Sequence, residues 1–243
     1  MIGRMRILVA SDLHYRLPHY DWLLEAAGKV DAIALPGDLA DAASVVPHEV
    51  QTVVLRNYLR AMADQTVVLA ASGNHDLDGP GPHGEQVAGW LASSDHARLH
   101  VDRSSVDIGE TRFTICPWWD GPVTREDVAV QLAAAAVDRP TRWVWLYHAP
   151  PAGTPLCHDG RRTFPDEDLR AWIEEHRPDV VLCGHIHQAP WVEGGSWHAR
   201  IGDTWVFNAG RTAGKVPAHI TIDTDAATAA WFGVDESGTV SLS

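Results

Sequence analysis

Apolar residues in the first half of the chain fall into short blocks separated by longer amphipathic stretches. "RILVAS" (6–11), "AIALPG" (32–37) and "TVVLAASG" (66–73) are nearly continuous apolar runs of strand length. Between them, "YDWLLEAAGKV" (20–30) and "HEVQTVVLRNYLRAMAD" (48–64) space their apolar residues as helices do. Strands buried on both faces and joined by helices predict a parallel sheet with crossover connections. The alternation continues with strands at "RFTICPWW" (112–119), "WVWLYHAP" (143–150) and "DVVLCG" (179–184). Helices are predicted at "REDVAVQLAAAAVD" (125–138) and "DEDLRAWIEEHRP" (166–178). The second of these opens on acids and closes at Pro178, as the helix dipole and the missing proline N–H favour. Beyond it, "SWHARIGDTWVFNAG", "AHITIDT", "ATAAWFGVD" and "GTVSLS" are short strands divided by turn residues, an expected antiparallel tail. The stretch "DGPGPHG" (78–84) reads as an exposed loop. With no repeat and no linker, 1–243 reads as a single domain with two sheets.

The polar residues that follow the strands change the picture. The first strand is followed by "SDLH" with Asp12 and His14, the second by "PGDLAD" with Asp38 and Asp41, and the third by "SGNHD" with Asn74, His75 and Asp76. His148 follows "WVWLY", and His185 and His187 follow "VVLCG". In a parallel sheet the residues just past the carboxyl ends of the strands meet along one rim, where open α/β sheets bind ligands. Each short motif alone has an ordinary explanation as a cap or a loop histidine. Their joint occurrence at strand ends gathers seven oxygen and imidazole donors: Asp12, His14, Asp38, Asn74, His148, His185 and His187. That number exceeds what one divalent ion takes from protein and suits two ions sharing a carboxylate. Asp38 is the natural bridge, because Gly37 lets the backbone come close.

Composition narrows the partners. The chain has 243 residues and a formal net charge of −13, which argues against gripping long nucleic acid. Cys116, Cys157 and Cys183 have neither disulfide nor zinc-clamp spacing, so reduced thiols and a cytoplasmic location are expected, with Cys183 assigned to packing. No apolar run reaches the ~18 residues of a membrane helix, and the N-terminal apolar run is too short for a signal peptide.

The order "DLH…GD…GNHD…H…GHIH" resembles the calcineurin-like metallophosphoesterase superfamily, over essentially the whole chain. The resemblance implies an α/β fold, a four-layer αββα sandwich of two mixed sheets flanked by helices, with a di-metal site at the carboxyl ends of the strands. It places Asp12, His14, Asp38 and His187 on one ion, and Asp38, Asn74, His148 and His185 on the other. It makes His75 a catalytic histidine that binds no metal and Asp41 its carboxylate partner. The cofactors expected are two divalent ions (manganese, iron or zinc), with manganese the one to support activity. Two ions about 3.5–4 Å apart acidify a shared water for in-line attack on phosphorus. Protein Ser/Thr phosphatases of the superfamily carry an arginine after the second aspartate; here that position is Ala42, which argues against that branch. His14 completes a first site of the kind seen in members that cleave diesters, and class III cyclic-nucleotide phosphodiesterases are similar in motifs and size. The reaction expected is therefore hydrolysis of small, nucleotide-like phosphodiesters, with phosphomonoesters or nucleotide pyrophosphates as the alternative. A metal-bound scaffold without catalysis would be expected to lack a ligand or His75. Arg161 and Arg162 are candidates for a substrate phosphate, and Trp118 and Trp119 for stacking on a ring. His83, His158 and Asn208 are further candidates for lining the rim.

Overall fold

The computed structural model describes residues 5–139 and 141–242. The first three apolar runs become β1 (Arg6–Val9), β2 (Ala32–Pro36) and β3 (Val67–Ala71), paired in parallel with Leu8 opposite Ile33 and Ala34 opposite Leu69. α1 (Leu17–Ala27) and α2 (His48–Ala63) make the crossovers. A two-residue ribbon of β4 (Gly79–Pro80) and β5 (Gln86–Val87) and the single-turn α3 (Gly89–Ala92) lead to β6 (Leu99–Val101), which pairs parallel to β3. β13 (His219–Asp223), β14 (Thr228–Phe232) and β15 (Ser237–Ser241) extend the same sheet antiparallel from the other side of β1. The second sheet runs β11 (His198–Ile201), β12 (Thr204–Asn208), β10 (Val180–Cys183), β9 (Arg142–Leu146), β8 (Thr111–Ile115), β7 (Ser104–Ile108). Its four central strands are parallel and its two edges antiparallel. α4 (Pro122–Ala136) and α5 (Glu167–His176) complete the helices.

Strand alternation assigns the layers. Ile7 and Val9 on one face of β1 pack with Phe113, Ile115, Val144, Leu146, Leu182 and Phe207 of the second sheet, which forms the core between the sheets. Leu8 faces the other way, into a core with Tyr20, Leu23, Leu55 and Leu59 of α1 and α2. On the far side of the second sheet, Trp143, Trp145 and Val181 pack against Val128 and Leu132 of α4 and Leu169 and Ile173 of α5. The expected αββα sandwich of mixed sheets is the fold observed.

Some expectations need correction. The C-terminal strands do not form one antiparallel tail: β12 pairs parallel to β10, while β13–β15 join the other sheet. Turn residues mark where strands end but not which strand is their partner. α1 begins at Leu17 and α4 at Pro122, each with a proline in its first turn, where the missing N–H costs nothing. α5 begins one residue inside the predicted span because Asp166 is its N-cap, accepting from Leu169 N at 2.8 Å. Within the expected loop 78–84, Gly79–Pro80 pairs with Gln86–Val87. β6 and β7 are edge strands too short and too weakly alternating to register in the sequence pattern.

Candidate metal centre

The loops that follow β1, β2, β3, β9 and β10 converge. The first two are zipped together by their backbones: Asp12 N donates to Gly37 O (3.1 Å), His14 N to Asp38 O (3.0 Å) and Tyr15 N to Leu39 O (2.9 Å). This ladder holds several residues in the left-handed region, with φ of 56° at Asp12, 43° at His14 and 53° at Asp38; His185 has φ of 69°. Such angles cost about 1–3 kcal/mol for each side-chain-bearing residue and persist where surrounding structure over-determines them. The glycines before the polar motifs clear space. A Cβ at Gly37 would lie 2.3 Å from His148 Nδ1, one at Gly73 2.2 Å from Asp38 Oδ1, and one at Gly184 2.7 Å from Asp12 Oδ2.

Two clusters share Asp38. Asp12, His14, Asp38 and His187 bring one donor atom each within 4.8 Å of one another, and so do Asp38, His148 and His185. The Nε2 atoms of His14 and His187 are 3.0 Å apart, and His187 Nε2 is 3.3 Å from Asp12 Oδ1. His148 donates Nδ1–H to Pro36 O at 2.8 Å, which turns Nε2 toward Asp38 Oδ2 at 3.2 Å. That Nε2 makes no aligned hydrogen bond, and the solvent-shielded Asn74 Oδ1 has no partner at all. Orphaned buried donors and acceptors are costly; a bound cation would give Asn74 Oδ1 a partner, and His148 Nε2 as well once its proton is lost. Burial pushes the His14 and His185 imidazoles down to about 4, so both are neutral and able to donate to a metal. Burial would raise Asp12, but His187, His148 and Ser11 hold its carboxyl well below the usual range. Asp38 is likewise lowered against its burial, chiefly by His148. Burial would lower His148, yet the Asp38 carboxylate pushes it up to about 9. The donor set of carboxylates, an amide oxygen and neutral imidazoles fits first-row divalent ions.

His75 sits beside the first cluster, its ring 4.5 Å from that of His14 and nearly perpendicular to it. Its Nδ1 lies 3.3 Å from Asp41 Oδ1, and its backbone N–H donates to Asp38 Oδ1 at 2.9 Å. A buried glutamine in α2 fixes the Asp41 loop: Gln51 accepts from Asp41 N and donates to Asp41 O and Val46 O. Asp76, fully buried, accepts from the amides of Leu39, Ala40 and Gly73 and so ties the β2 loop to the β3 loop.

Trp118 closes the other end, its ring 5.7 Å from that of His148 and 5.5 Å from that of His185. With Trp119, Phe164, Pro165 and His185 it lines a cleft of about 350 Å³. Trp119 is fixed by donating Nε1–H to Tyr147 O–H (2.6 Å), which in turn donates to Asp166 (2.7 Å). Arg161 and Arg162 do not line this cleft; they lie in an exposed turn whose two amides donate to Asp159 Oδ1. His158 belongs to the same turn, its Nδ1 paired with Arg162 O, and His83 is exposed beside a second cavity behind Trp118. Asn208 does not line the rim. It is fully buried, donating to Gly184 O and Ile186 O and accepting from Gly210 N, and so fixes the loop that carries His185 and His187. Cys183 packs in the core under α5. The sequence pattern did not single out Gln51 or Arg211. Arg211 lies just past β12 and donates its amide to His187 O at 3.1 Å. Its signal was available: it follows a strand of the same parallel sheet, as the ligand candidates do.

The model of the calcineurin-like phosphoesterase family matches residues 5–189. No curated protein matches the chain in sequence. Among solved structures, the protein TT1561 of Thermus thermophilus is similar, with 15% identity and a TM-score of 0.62 over 99% of this chain and 100% of that one. A dimetal phosphatase from Danio rerio has 10% identity and a TM-score of 0.59, covering 98% of this chain and 99% of that one. The purple acid phosphatase PPD1 of yellow lupin (Lupinus luteus) has 16% identity and a TM-score of 0.56 over 99% of this chain and 54% of that one. At such identity these likenesses concern the fold, whereas the family match spans every motif from Asp12 to His187. The chain thus belongs to the calcineurin-like phosphoesterase family and is a metal-dependent hydrolase of phosphoester bonds.

Proposed function

We propose that the protein hydrolyses phosphodiesters of small, nucleotide-like molecules at a centre of two divalent ions. The observation that carries this reading is a pair of donor clusters sharing one carboxylate, Asp38, with Asn74 Oδ1 left unpartnered beside it. Asp12, His14, Asp38 and His187 would hold one ion, and Asp38, Asn74, His148 and His185 the other. When bound, such ions supply Lewis acidity toward phosphoryl oxygens and acidify water at neutral pH. The protein's own groups do the rest. His148 is held in one tautomer by Pro36 O, and Ser11 and the His185 amide orient the Asp12 carboxylate. His75, its Nδ1 beside Asp41, keeps Nε2 for handing a proton to the departing alkoxide. Asp41 orients and supports that imidazole. Trp118 offers a face to a ring carried by the substrate. His14 fills the first cluster as in diester-cleaving relatives, which favours diesters over monoesters. The three cysteines are free and buried, consistent with action in a reducing cytoplasm.

The test is a substrate panel with manganese-reconstituted protein: bis(4-nitrophenyl) phosphate, 4-nitrophenyl phosphate, and cyclic nucleotides. Diester turnover should exceed monoester turnover, fall to background on chelation and return with manganese better than with magnesium. Full turnover by protein stripped of metal would reject the centre. A strong monoester preference would reject the diester assignment alone.

A further inference from the structure

Arg211 stands in an unusual position for this acidic chain. Among the described residues it is the half-buried arginine whose guanidinium makes neither a hydrogen bond nor an ion pair. The other half-buried arginines are matched: Arg112 by Asp107, Arg125 by Asp168, Arg170 by Glu174, and Arg16, Arg56 and Arg142 by carbonyls or hydroxyls. A partly desolvated cation without a partner is costly, and 32 acidic residues were available to match it.

Its backbone is nevertheless held firmly. The Arg211 amide donates to His187 O at 3.1 Å, and Gly210 N, one residue earlier, donates to Asn208 Oδ1 at 2.8 Å. On the far side, Arg16 donates to Ala213 O and Gly214 O, His19 Nε2 lies 3.0 Å from Gly214 O, and Thr212 Oγ1 donates to Val216 O at 3.0 Å. The segment 208–216 is therefore anchored at both ends, on the metal-cluster loop and on the start of α1. The guanidinium charge is felt at His14 and His19. The amide contact with His187 O puts Arg211 beside the His187 end of the centre, whereas Trp118 meets His148 and His185. Two divalent ions in the clusters would add positive charge to the same region, which leaves a counter-charge for an anionic substrate to supply.

We propose that Arg211 is the seat for a second acidic group of the substrate, a phosphate separate from the one being hydrolysed. The proposal rests on the phosphoesterase reading for the site itself and adds the substrate class: nucleotide-like phosphodiesters that carry a further terminal phosphate, for which a nucleoside bisphosphate serves as a non-diester binding probe. A guanidinium takes phosphate oxygens through paired N–H donors, and a preorganised backbone reduces the ordering cost.

Calorimetric titration of manganese-loaded protein with thymidine 3′,5′-bisphosphate and with thymidine 5′-monophosphate tests it. The wild type should bind the bisphosphate about 10- to 100-fold more tightly. Arg211→Gln should bring that ratio to about one, and Arg211→Lys should retain part of it as a single point charge. A wild-type ratio near one, binding of neither nucleotide, or a ratio unchanged in Arg211→Gln would overturn the proposal. Should Arg211→Gln fail to fold in a thermal melt, the wild-type and Arg211→Lys ratios still decide. Turnover of bis(4-nitrophenyl) phosphate by the same preparation tests the phosphodiesterase reading separately: its absence rejects that reading and leaves the binding comparison standing.

Discussion

Gly73→Ala isolates the steric demand of the centre in one methyl group. Gly73 has no left-handed φ, so the backbone accepts alanine and the effect comes from contact alone. The new Cβ would lie 2.2 Å from Asp38 Oδ1, 2.6 Å from Asp38 N and 2.8 Å from His148 Cδ2. A rotamer change can move the carboxylate but not the amide, so the β2 loop itself must retreat by about 1 Å to reach ordinary contact. Overpacking of this kind costs about 1–3 kcal/mol, and a chain of this length loses about 2–4 °C of Tm per kcal/mol. The metal-free variant should therefore melt roughly 2–12 °C lower. Because the displaced carboxylate belongs to both clusters, affinity for both ions should fall by about 10- to 100-fold, the usual consequence of disturbing the support of a ligand. The assay pairs thermal melts of stripped protein with calorimetric manganese titration. Gly79→Ala is the control, since a Cβ there meets nothing within 4 Å. If Gly73→Ala melts with the wild type and binds two manganese ions at wild-type affinity, the packing argument is wrong.

Asp38→Asn should weaken both ions and reduce turnover to near background, whereas His187→Ala should deplete mainly one; metal analysis showing two tightly held ions in Asp38→Asn would remove its bridging role. His148, pushed up to about 9 by Asp38 against its burial, is protonated at neutral pH without metal. Its raised value stabilises the metal-free fold fully below the unfolded value near 6.5, and that stability is lost as pH rises through about 9. Binding at Nε2 must expel this proton, so metal affinity should climb with pH up to about 9. Calorimetry at neutral pH in buffers of different ionisation enthalpy should detect proton release that His148→Gln abolishes, and zero release in the wild type would contradict the assignment. His75→Ala should keep two ions while losing far more rate on diesters with alkoxide leaving groups than on nitrophenolates. An equal loss across a graded series would make His75 a phosphate-positioning group instead.

The layered α/β architecture was legible in the sequence because buried parallel strands are written as apolar runs, and their ends as glycine followed by polar residues. "PGD", "SGNHD" and "CGHIH" marked the rim, since each glycine that must admit a side chain from another loop stands directly before a polar residue of that rim. What the linear pattern could not carry is pairing between distant segments. β12 reads as part of a local hairpin, which it forms with β11, and on its other edge it runs beside the distant β10, with Asn208 opposite Cys183. That register turns an asparagine expected at the rim into the buried residue that holds the histidine-bearing loop. Arg161 and Arg162 looked suitable by charge, but the tight turn around Asp159 leaves them exposed, while Arg211, which the pattern did not single out, is carried to His187 by the end of β12. The sequence determined which polar residues stand at the strand ends and come together as candidate ligands, because apolar periodicity and glycine placement are local properties of the chain. Tertiary structure decided which polar groups support them, because a hydrogen bond between Gln51 and Asp41 or between Asn208 and Gly184 depends on distances that only the closed sandwich sets.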